Sequence, residues 1–336
     1  MRQLTLVGPH RLEWLDVDEP ELQDARDALV RPLAVATCDL DAPVIAGLTP
    51  YEPPIAVGHE CVAEVVEAPD DGPTPGALVS VPFQVSCGDC ERCRHGLTGN
   101  CESVPSLSMY GFGSFGGEWG GFLSELVRVP FSDHMLWPLP EGVSAEAAAS
   151  VSDNVVDGWR LVAPGLEQWP GGEVLIAAGS PSIGLYGVQV ALALGAARVV
   201  YCDVEDKRLR KAEDLGAEVV EGYPERLGPF PVTAMVAADP AALALAARST
   251  APDGICTCAG ILFQPETPIP LLEMYTKITT FRTGRPHARP SIPRVLELME
   301  QGALHPERVT DRTLTWEEAP EALADNVGKL VFSRAS

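Results

Sequence analysis

Strand-like and helix-like segments alternate along residues 172–217, and this alternation limits the folds open to the chain more than any other feature. The run VLIAA (174–178) is short, apolar and bounded by glycines, which is typical of a buried parallel strand. The segment SIGLYGVQVALALGA (182–196) has the length and apolar spacing of a helix that ends at glycine. A second strand, ARVVYCD, and a second helix, DKRLRKAEDLGA, follow. The order predicts helices packed on a parallel sheet.

The same alternation continues after residue 230. VTAMVAA, GICTCAG and KITTFRTG are predicted as strands and PAALALAARS as a helix. The fold class is therefore α/β, with a doubly wound parallel sheet of the Rossmann type.

The turn between the first strand and helix is a modified phosphate-binding loop. Aligned on Gly184 it reads G-S-P-S-I-G, with Gly179 in place and Pro181 where a second glycine usually lets the backbone approach a pyrophosphate. Proline has no N–H to donate. The helix N-terminus at Ser182 and Ile183 can still bind an anion, so the loop predicts a dinucleotide site.

Asp203 is placed to choose between the two nicotinamide cofactors, because it ends the second predicted strand. A carboxylate there would bind the ribose hydroxyls and repel a 2′-phosphate, which favours NAD(H) over NADP(H). The alternative is an ordinary helix-capping acid before DKRLRK.

Four of the nine cysteines gather in SCGDCERCRHGLTGNC, with the spacing C-x2-C-x2-C-x7-C. Four thiolates suit a closed tetrahedral zinc site, and they leave no open coordination position for catalysis. An iron–sulfur cluster is the rival interpretation, and four buried free thiols are the third. The predicted structural zinc ligands are Cys87, Cys90, Cys93 and Cys101.

A second set of ligands lies upstream. Cys38 in VATCDLDAP is followed by His59 and Glu60 in VGHECVAEVVEA, and then by the four-cysteine lobe. This order resembles the zinc-dependent medium-chain dehydrogenases of the alcohol dehydrogenase superfamily. The likeness continues through GGFLSELVRVP (120–130), LPEGVSAEAAASVSD (139–153) and the tail VLELMEQGALHPERVTDRTLTWEEAPEAL, so it covers essentially the whole chain.

The resemblance implies a catalytic zinc besides the structural one, hence two zinc ions per chain. Its ligands would be Cys38, His59 and Asp153, which leave one position open for a substrate oxygen. Glu60 would sit beside this zinc, and Asp41 would orient His59.

The resemblance also implies the domain organisation. A GroES-like, β-rich catalytic domain with the zinc lobe (87–101) is expected over residues 1–150, a Rossmann NAD-binding domain over 151–289, and a return to the catalytic domain over 290–336. The active site is expected in the cleft between the domains.

Leu40 departs from the family pattern. It stands two residues after Cys38, where the family usually has the Ser or Thr that passes the alcohol proton toward solvent. Leucine cannot carry a proton. The proton would have to travel through water, Asp157 or Glu60.

Two acidic residues are also unusual. Asp39 would lie near the cofactor phosphates and would require a base such as Lys329 or Arg208 to compensate it. Asp157, where the family usually has Thr beside the nicotinamide, could stabilise the oxidised ring or bind a cationic amine or iminium substrate.

The substrate pocket is expected to be apolar and to accept a bulky or ring-containing substrate. Phe83 aligns with a pocket wall of the family, and the glycine-rich run SMYGFGSFGGEWGGF (108–122) could line the cleft or could be a packed loop. Ile261 and Leu262 would border the nicotinamide. The run holds Tyr110, Phe112, Phe115 and Trp119, and the candidate pocket residues are Leu40, Phe83, Tyr110 and Trp119.

Charge excludes several partners. Lys and Arg total 24 against 47 Asp and Glu, a net charge of −23, which repels nucleic acid and anionic lipid. The sequence has no apolar run long enough for a bilayer and no secretory signal pattern, so a cytoplasmic location is expected. The resemblance implies a homodimer or homotetramer.

The favoured function is zinc-dependent hydride transfer between NAD(H) and an alcohol, aldehyde or ketone. One alternative is a specialised reductase of an imine, an iminium or a conjugated C=C bond, as Leu40 suggests. The other is a non-catalytic scaffold on the same fold, which only Pro181 and Asp39 support.

Overall fold

The computed structural model describes residues 1–70, 72–325 and 328–334. The chain forms two compact units: unit 1 joins Met1–Val156 with the chain from His287 onward, and unit 2 is Asp157–Pro286. The divisions thus fall after Val156 and Pro286, where the sequence analysis placed them after residues 150 and 289.

The strands, in chain order, are β1 (Arg2–Gly8), β2 (Arg11–Asp16), β3 (Ala28–Ala36), β4 (Ile55–Ala56), β5 (Glu60–Glu67), β6 (Leu78–Val81), β7 (Val127–Val129), β8 (Trp137–Pro138), β9 (Val174–Ala177), β10 (Val199–Asp203), β11 (Glu218–Glu221), β12 (Phe230–Met235), β13 (Thr250–Cys258), β14 (Thr280–Thr283), β15 (Arg312–Thr315) and β16 (Leu330–Ser333).

The α-helices are α1 (Asp41–Ile45), α2 (Glu91–Arg94), α3 (Ser132–Met135), α4 (Ala145–Ala148), α5 (Asn154–Gln168), α6 (Ile183–Ala193), α7 (Asp206–Asp214), α8 (Pro240–Ser249), α9 (Leu271–Lys277), α10 (Ala288–Glu300) and α11 (Ala319–Asp325). Short 3₁₀ helices cover Thr98–Asn100, Gly113–Gly116, Ala149–Ser152, Pro306–Arg308 and Trp316–Glu318. No helix within the described ranges is both long enough and apolar enough to cross a membrane.

Unit 1 is built on two sheets. A three-stranded sheet has the order β2-β1-β4, and a larger one runs β15-β16-β3-β5-β6-β8 with β7 also paired to β3. The central strands β3 and β5 are antiparallel, and Ala36 faces Glu60. This register brings the end of β3 to the start of β5, so the residues just beyond these two ends, Cys38 and His59, lie close together.

Unit 2 contains one six-stranded sheet of order β11-β10-β9-β12-β13-β14, in which every pairing is parallel. Strand β9 is buried along its whole length, as expected of a strand covered on both faces. The chain runs outward from β9 to β11 and then returns to β12 on the other side of β9. The doubly wound sheet predicted from the alternation of segments is confirmed, and the β9–α6 turn lies at the switch point where such sheets bind ligands.

Candidate metal centres and nucleotide site

The four cysteines of the lobe come together in unit 1. The Sγ atoms of Cys87, Cys90, Cys93 and Cys101 all lie within 4.8 Å of one another. Helix α2 begins next to Cys90, whose sulfur accepts hydrogen bonds from the backbone N–H of Cys93 and of Glu102 at 3.4 Å. Burial opposes ionisation of this thiol, but the two N–H groups help to outweigh it and lower the pKa of Cys90 to about 6. Backbone donors aimed at the sulfurs fit a metal–thiolate site.

The second group of donors is also in unit 1. Ligand atoms of Cys38, His59 and Asp153 lie within 4.8 Å of one another. Cys38 follows β3, His59 precedes β5, and Asp153 stands between the 3₁₀ helix Ala149–Ser152 and α5. His59 Nε2 lies 3.4 Å from Asp153 Oδ2, and Nδ1 lies 3.7 Å from Asp41 Oδ1. Asp41 is fixed in turn, because its Oδ2 accepts the Cys38 backbone N–H at 2.8 Å.

The charges of this group fit a divalent cation. Burial disfavours a positive imidazole, but the carboxylates of Asp41, Asp153 and Glu60 outweigh it and raise the pKa of His59 to about 8. Burial and the same kind of carboxylate repulsion raise the pKa of Cys38 well above its usual value. His59 is 1% exposed, and among the described residues neither of its ring nitrogens has a hydrogen-bond partner. One sulfur, one imidazole and one carboxylate are a ligand set that zinc accepts.

Glu60 and Lys329 form a buried ion pair next to this group. Lys329 Nζ lies 2.6 Å from Glu60 Oε2 and also donates to the carbonyl oxygen of Thr37. Both side chains are almost completely buried. Burial raises the pKa of Glu60 to about 8 against the opposing effect of Lys329. Lys329, predicted as a base that could compensate Asp39, has its ammonium group on Glu60 instead.

The glycine-rich run packs on His59 through two residues. A Cβ at Gly111 would come within 2.9 Å of His59 Cβ, so only glycine fits this approach, and its φ of +79° also favours glycine. The Phe112 ring lies 4.8 Å from the His59 ring, and the Phe83 ring lies 5.9 Å from it. Tyr51, which the sequence analysis did not single out, continues the aromatic cluster to Phe112 at 5.2 Å and to Phe115 at 4.6 Å.

The pocket role expected for Tyr110 is wrong. Its ring has no exposed surface, lies in the hydrophobic core of unit 1 against Phe122, and its hydroxyl donates to the Arg128 carbonyl oxygen. A side chain without exposure cannot line an open cleft. Trp119 packs against the same core with the Arg128 guanidinium over its ring, which also favours the packed-loop interpretation at that position.

Leu40 lies beside the sulfur ligand. It is partly buried against the core, and its backbone N–H points at Cys38 Sγ over 3.5 Å. Its side chain has no group that transfers a proton. Asn154, which the sequence analysis missed, is fully buried and contacts Cys38 Sγ with its side-chain oxygen at 3.3 Å.

The modified phosphate loop connects β9 to α6 in unit 2. A Cβ at Gly179 would come within 2.7 Å of both Ala237 Cβ and the Tyr223 hydroxyl, so the turn requires glycine there. Tyr223 donates to the Ala178 carbonyl oxygen and was not predicted as part of this region. The Ser180 hydroxyl is buried and has no partner among the described residues, so it is available to a phosphate oxygen.

Asp203 ends β10 and is completely buried. The Arg208 guanidinium holds both carboxylate oxygens at 2.8 Å, and the Val204 and Glu205 backbone N–H groups donate to Oδ1. The Tyr201 hydroxyl lies 3.1 Å from Oδ2. The carboxylate predicted to bind ribose is therefore already well supplied with protein donors, and Arg208 serves Asp203 instead of Asp39.

Asp157, at the start of unit 2, is paired with Arg160. The carboxylate predicted to be available to a cation is therefore already bound to Arg160, a partner that the sequence pattern did not indicate. The ion pair reduces the negative charge that Asp157 offers to a ligand. Ile261 is 45% exposed and follows β13 in the same unit.

A group of four cysteines, a second group of Cys38, His59 and Asp153, and an all-parallel sheet of the nucleotide-binding type together define a zinc-dependent, nucleotide-dependent oxidoreductase. The alcohol dehydrogenase GroES-like domain family matches residues 24–141, and the zinc-binding dehydrogenase family matches residues 182–301. The chain belongs to the zinc-dependent medium-chain dehydrogenases/reductases of the alcohol dehydrogenase superfamily. It is an enzyme of the zinc-dependent alcohol dehydrogenase type that uses a nicotinamide cofactor and acts on small molecules.

Individual relatives support this assignment. A medium chain reductase/dehydrogenase of Acremonium sp is 32% identical over 228 residues, which is 66% of this chain and 76% of that protein. A probable zinc-binding alcohol dehydrogenase of Mycobacterium tuberculosis is 27% identical over 334 residues, 96% of this chain and 85% of that protein. Among solved structures, an alcohol dehydrogenase from Thermus sp. ATN1 superposes with a TM-score of 0.87 at 29% identity, and the match covers 100% of both chains.

Proposed function

We propose that the protein transfers a hydride between NAD(H) and an alcohol, aldehyde or ketone with a bulky or ring-containing group. The observation that carries the proposal is the group of Cys38, His59 and Asp153, which supplies three ligands and leaves a fourth position for a substrate oxygen. A closed site would need a fourth protein ligand, and the ligand group that the described residues form here has three members.

The residues around this group have separable tasks. Cys38, His59 and Asp153 would hold the catalytic zinc, and bound zinc supplies a Lewis acid that polarises the substrate oxygen. Asp41 accepts the Cys38 backbone N–H and faces His59 Nδ1, so it fixes the orientation of the imidazole. The lobe cysteines would hold the second zinc, which stabilises the loop because four thiolates leave no open position.

The alcohol proton has to leave the substrate by a route that does not use the Leu40 side chain. Glu60 is the better-supported acceptor, because it is buried beside the ligand group and has a pKa raised to about 8 by that burial. A carboxyl with such a pKa exchanges protons near neutral pH. Asp157 is less suited, since Arg160 stabilises its charged form. Water remains the third route.

NAD(H) is proposed over NADP(H) because of Asp203. Its carboxylate is buried at the end of β10, where the adenine ribose binds in folds of this type. A 2′-phosphate would meet two carboxylates, Asp203 and Glu205, against the single guanidinium of Arg208 that pairs with both, so the net charge at the end of β10 would repel it. Nicotinamide, when bound, supplies the carbon that accepts or gives the hydride. The Gly179–Gly184 turn and the α6 N-terminus would bind the pyrophosphate.

The aromatic cluster supports a ring-containing substrate. Phe83 and Phe112 contact His59, and Tyr51 and Phe115 extend the same surface away from it. Phe115 is 40% exposed, so the cluster reaches solvent. Such a surface stacks on rings and gains little from a two-carbon alcohol.

A reductase of an imine, an iminium or a conjugated C=C bond is the second candidate function. Leu40 favours it, because a substrate that needs no alcohol proton relay is not slowed by an apolar side chain at this position. An iminium substrate was suggested because the Asp157 carboxylate could bind a cation. The pairing of Asp157 with Arg160 weakens this suggestion, since it leaves less negative charge to attract a cation.

A self-associated state is also proposed, as a homodimer or homotetramer. Helix α9 and the residue after it carry four large apolar side chains that are 65–79% exposed: Leu271, Leu272, Tyr275 and Ile278. In the chain they directly precede β14, which is an edge strand of the unit 2 sheet. In a chain with a net charge of −23, an apolar surface next to a sheet edge is the part best suited to contact a second copy.

Replacing one ligand tests the proposed site. We expect the native chain to bind two zinc ions and the His59→Ala variant about one, because the lobe is untouched. Alcohol oxidation with NAD⁺ should fall at least about 1000-fold, since a metal Lewis acid supplies several kcal/mol. Zinc is counted by mass spectrometry of the purified protein, and turnover by NADH absorbance.

The matched control is His95→Ala, which removes an exposed histidine of the lobe whose Nδ1 only contacts the Glu91 carbonyl oxygen. This variant should retain both zinc ions and native turnover. Equal zinc content and equal turnover in the two variants would show that His59 does not bind a catalytic metal.

A further inference from the structure

Asn154 contacts one residue of the catalytic metal group, Cys38, and two residues next to that group, Asp39 and Glu60. It is the first residue of α5, directly after the ligand Asp153, and its side chain is fully buried. Its Nδ2 donates to Asp39 Oδ1 at 3.3 Å, and its Oδ1 accepts from Cys38 Sγ at 3.3 Å. Its backbone N–H points at Glu60 Oε1, also at 3.3 Å. The amide is therefore built into the site.

The contact with Cys38 has a chemical consequence. A thiol can donate to an amide oxygen, but a metal-bound cysteine is a thiolate and can only accept. With a metal on Cys38, the side-chain oxygen of Asn154 would face an electron-rich sulfur at 3.3 Å. A rotation of the carboxamide about its last bond exchanges oxygen and nitrogen and removes this repulsion, because the two ends of the amide have nearly the same shape.

We infer that Asn154 is a positioning residue for the Cys38 sulfur, and that its Nδ2–H donates to the thiolate once a metal is bound. The inference rests on the proposed catalytic zinc. The amide contacts Cys38 with its oxygen and Asp39 with its nitrogen, so the rotation transfers the N–H donor from Asp39 to Cys38. Asp39 is partly exposed and can turn to water for its own hydrogen bonds.

Asp39 is the residue that gives up the Asn154 donor when the carboxamide rotates. Its carboxylate is adjacent in sequence to Cys38 and shares Asn154 with it. The Leu40 backbone N–H supplies a second donor to the same sulfur, at 3.5 Å. Two N–H groups on one sulfur lower the electron density that the sulfur passes to the metal, which fixes the sulfur and tunes the ion.

Cobalt substitution tests the role without relying on activity. Co²⁺ is placed in the catalytic site of the full chain, and the sulfur-to-cobalt absorption band and the metal affinity in chelator competition are measured. In the Asn154→Leu variant, which has nearly the same shape and no N–H, we expect the band to move to longer wavelength. Affinity should fall about 10- to 100-fold, as is usual when a group that orients a ligand is lost. Asn154→Ala, which only shortens the side chain, should show the same changes.

The matched control is Gln84→Met. Gln84 is another buried amide of unit 1, bonded to the Ala288 backbone N–H, and methionine keeps its shape. It should leave the cobalt band and affinity unchanged even if the thermal stability drops. If both Asn154 variants kept the native position of the cobalt band and bound Co²⁺ within about twofold of the native affinity, this inference would be overturned. The proposed function would be unaffected. If the native chain gave no sulfur-to-cobalt band at this site, the proposed function would fail and the inference with it.

Discussion

Position 40 shows how a single residue can separate two functions on one site. The proposed ligands Cys38 and His59 lie together, but the residue two positions after Cys38 is the aliphatic Leu40, whose side chain packs against the core of unit 1. The structure offers Glu60 as a buried carboxyl with a pKa of about 8, but Lys329 already binds it. Alcohol chemistry is therefore expected to be limited by proton transfer rather than by metal binding.

Restoring a hydroxyl at this position tests that limit. We expect Leu40→Ser to raise the turnover of a ring-containing alcohol about tenfold or more, because general acid–base catalysis by a positioned group contributes at least this much. Reduction of an imine should not improve. Steady-state rates with NAD⁺ or NADH measure both, and Leu48→Ser, at a leucine that is 75% exposed, is the control. An unchanged alcohol rate would mean that protons already leave through Glu60 or water.

The site residues that could be predicted were those whose order along the chain carries the information. Cys38, His59 and Asp153 were identified by their family pattern. Asn154 was missed because its contact with Cys38 joins positions 116 residues apart. No local signal marks a buried asparagine as the partner of a distant sulfur. Tyr110 was placed wrongly for the converse reason: a glycine- and aromatic-rich run does not reveal which rings turn into the core.

At the scale of secondary structure, the β9–α6 turn differs clearly from the usual glycine-rich phosphate-binding loop. Pro181 occupies the position of a glycine and removes one backbone donor from the loop. The Tyr223 hydroxyl occupies space next to Gly179, and the Ser180 hydroxyl is buried in the same loop. The proposed phosphate site would therefore rely on the α6 N-terminus and side-chain hydroxyls.

Pro181→Gly should tighten NADH binding by about three- to tenfold, because a regained N–H can donate to a charged phosphate. Fluorescence titration with NADH gives the dissociation constants. Pro240→Gly makes the same change at the first residue of α8, outside the phosphate loop, and should alter only stability. Weaker or unchanged NADH binding in Pro181→Gly would contradict this description of the loop.

Most strands of unit 2 could be predicted from the sequence because most of their residues are apolar and buried. The runs that became β9, β10, β12 and the second half of β13 are largely apolar and buried, and local sequence alone places them. Strand β11 was not predicted, because its four residues, EVVE, include no fully buried side chain. Helix α9 was also missed, since its apolar residues Leu271, Leu272 and Tyr275 are exposed and follow no core-facing period.

At the scale of the whole molecule, the exposed apolar side chains of α9 contrast with a strongly acidic chain. Self-repulsion at a net charge of −23 opposes association, so contact between copies needs apolar area or a strand edge. The end of the unit 2 sheet at β14 supplies both.

Placing a charge on α9 should therefore separate the copies. We expect the native chain to run as a dimer or tetramer in light scattering after gel filtration, and the Leu272→Glu variant to run as a monomer, because the new charge would be buried at the contact. Leu48→Glu adds the same charge at an equally exposed leucine of unit 1 and should leave the assembly intact. A monomeric native chain, or equal assembly of the two variants, would refute the proposed surface.

The measurement that tests the central claim most directly is a fluorescence titration of the zinc-loaded chain with NADH and, in parallel, with NADPH. It needs no knowledge of the substrate. The proposed function predicts that NADH binds at least about tenfold more tightly than NADPH, which corresponds to about 1.4 kcal/mol of repulsion between the 2′-phosphate and Asp203. Tighter binding of NADPH would contradict the role of Asp203 and favour the reductase. Binding of neither would contradict hydride transfer itself and leave a scaffold on a dehydrogenase fold.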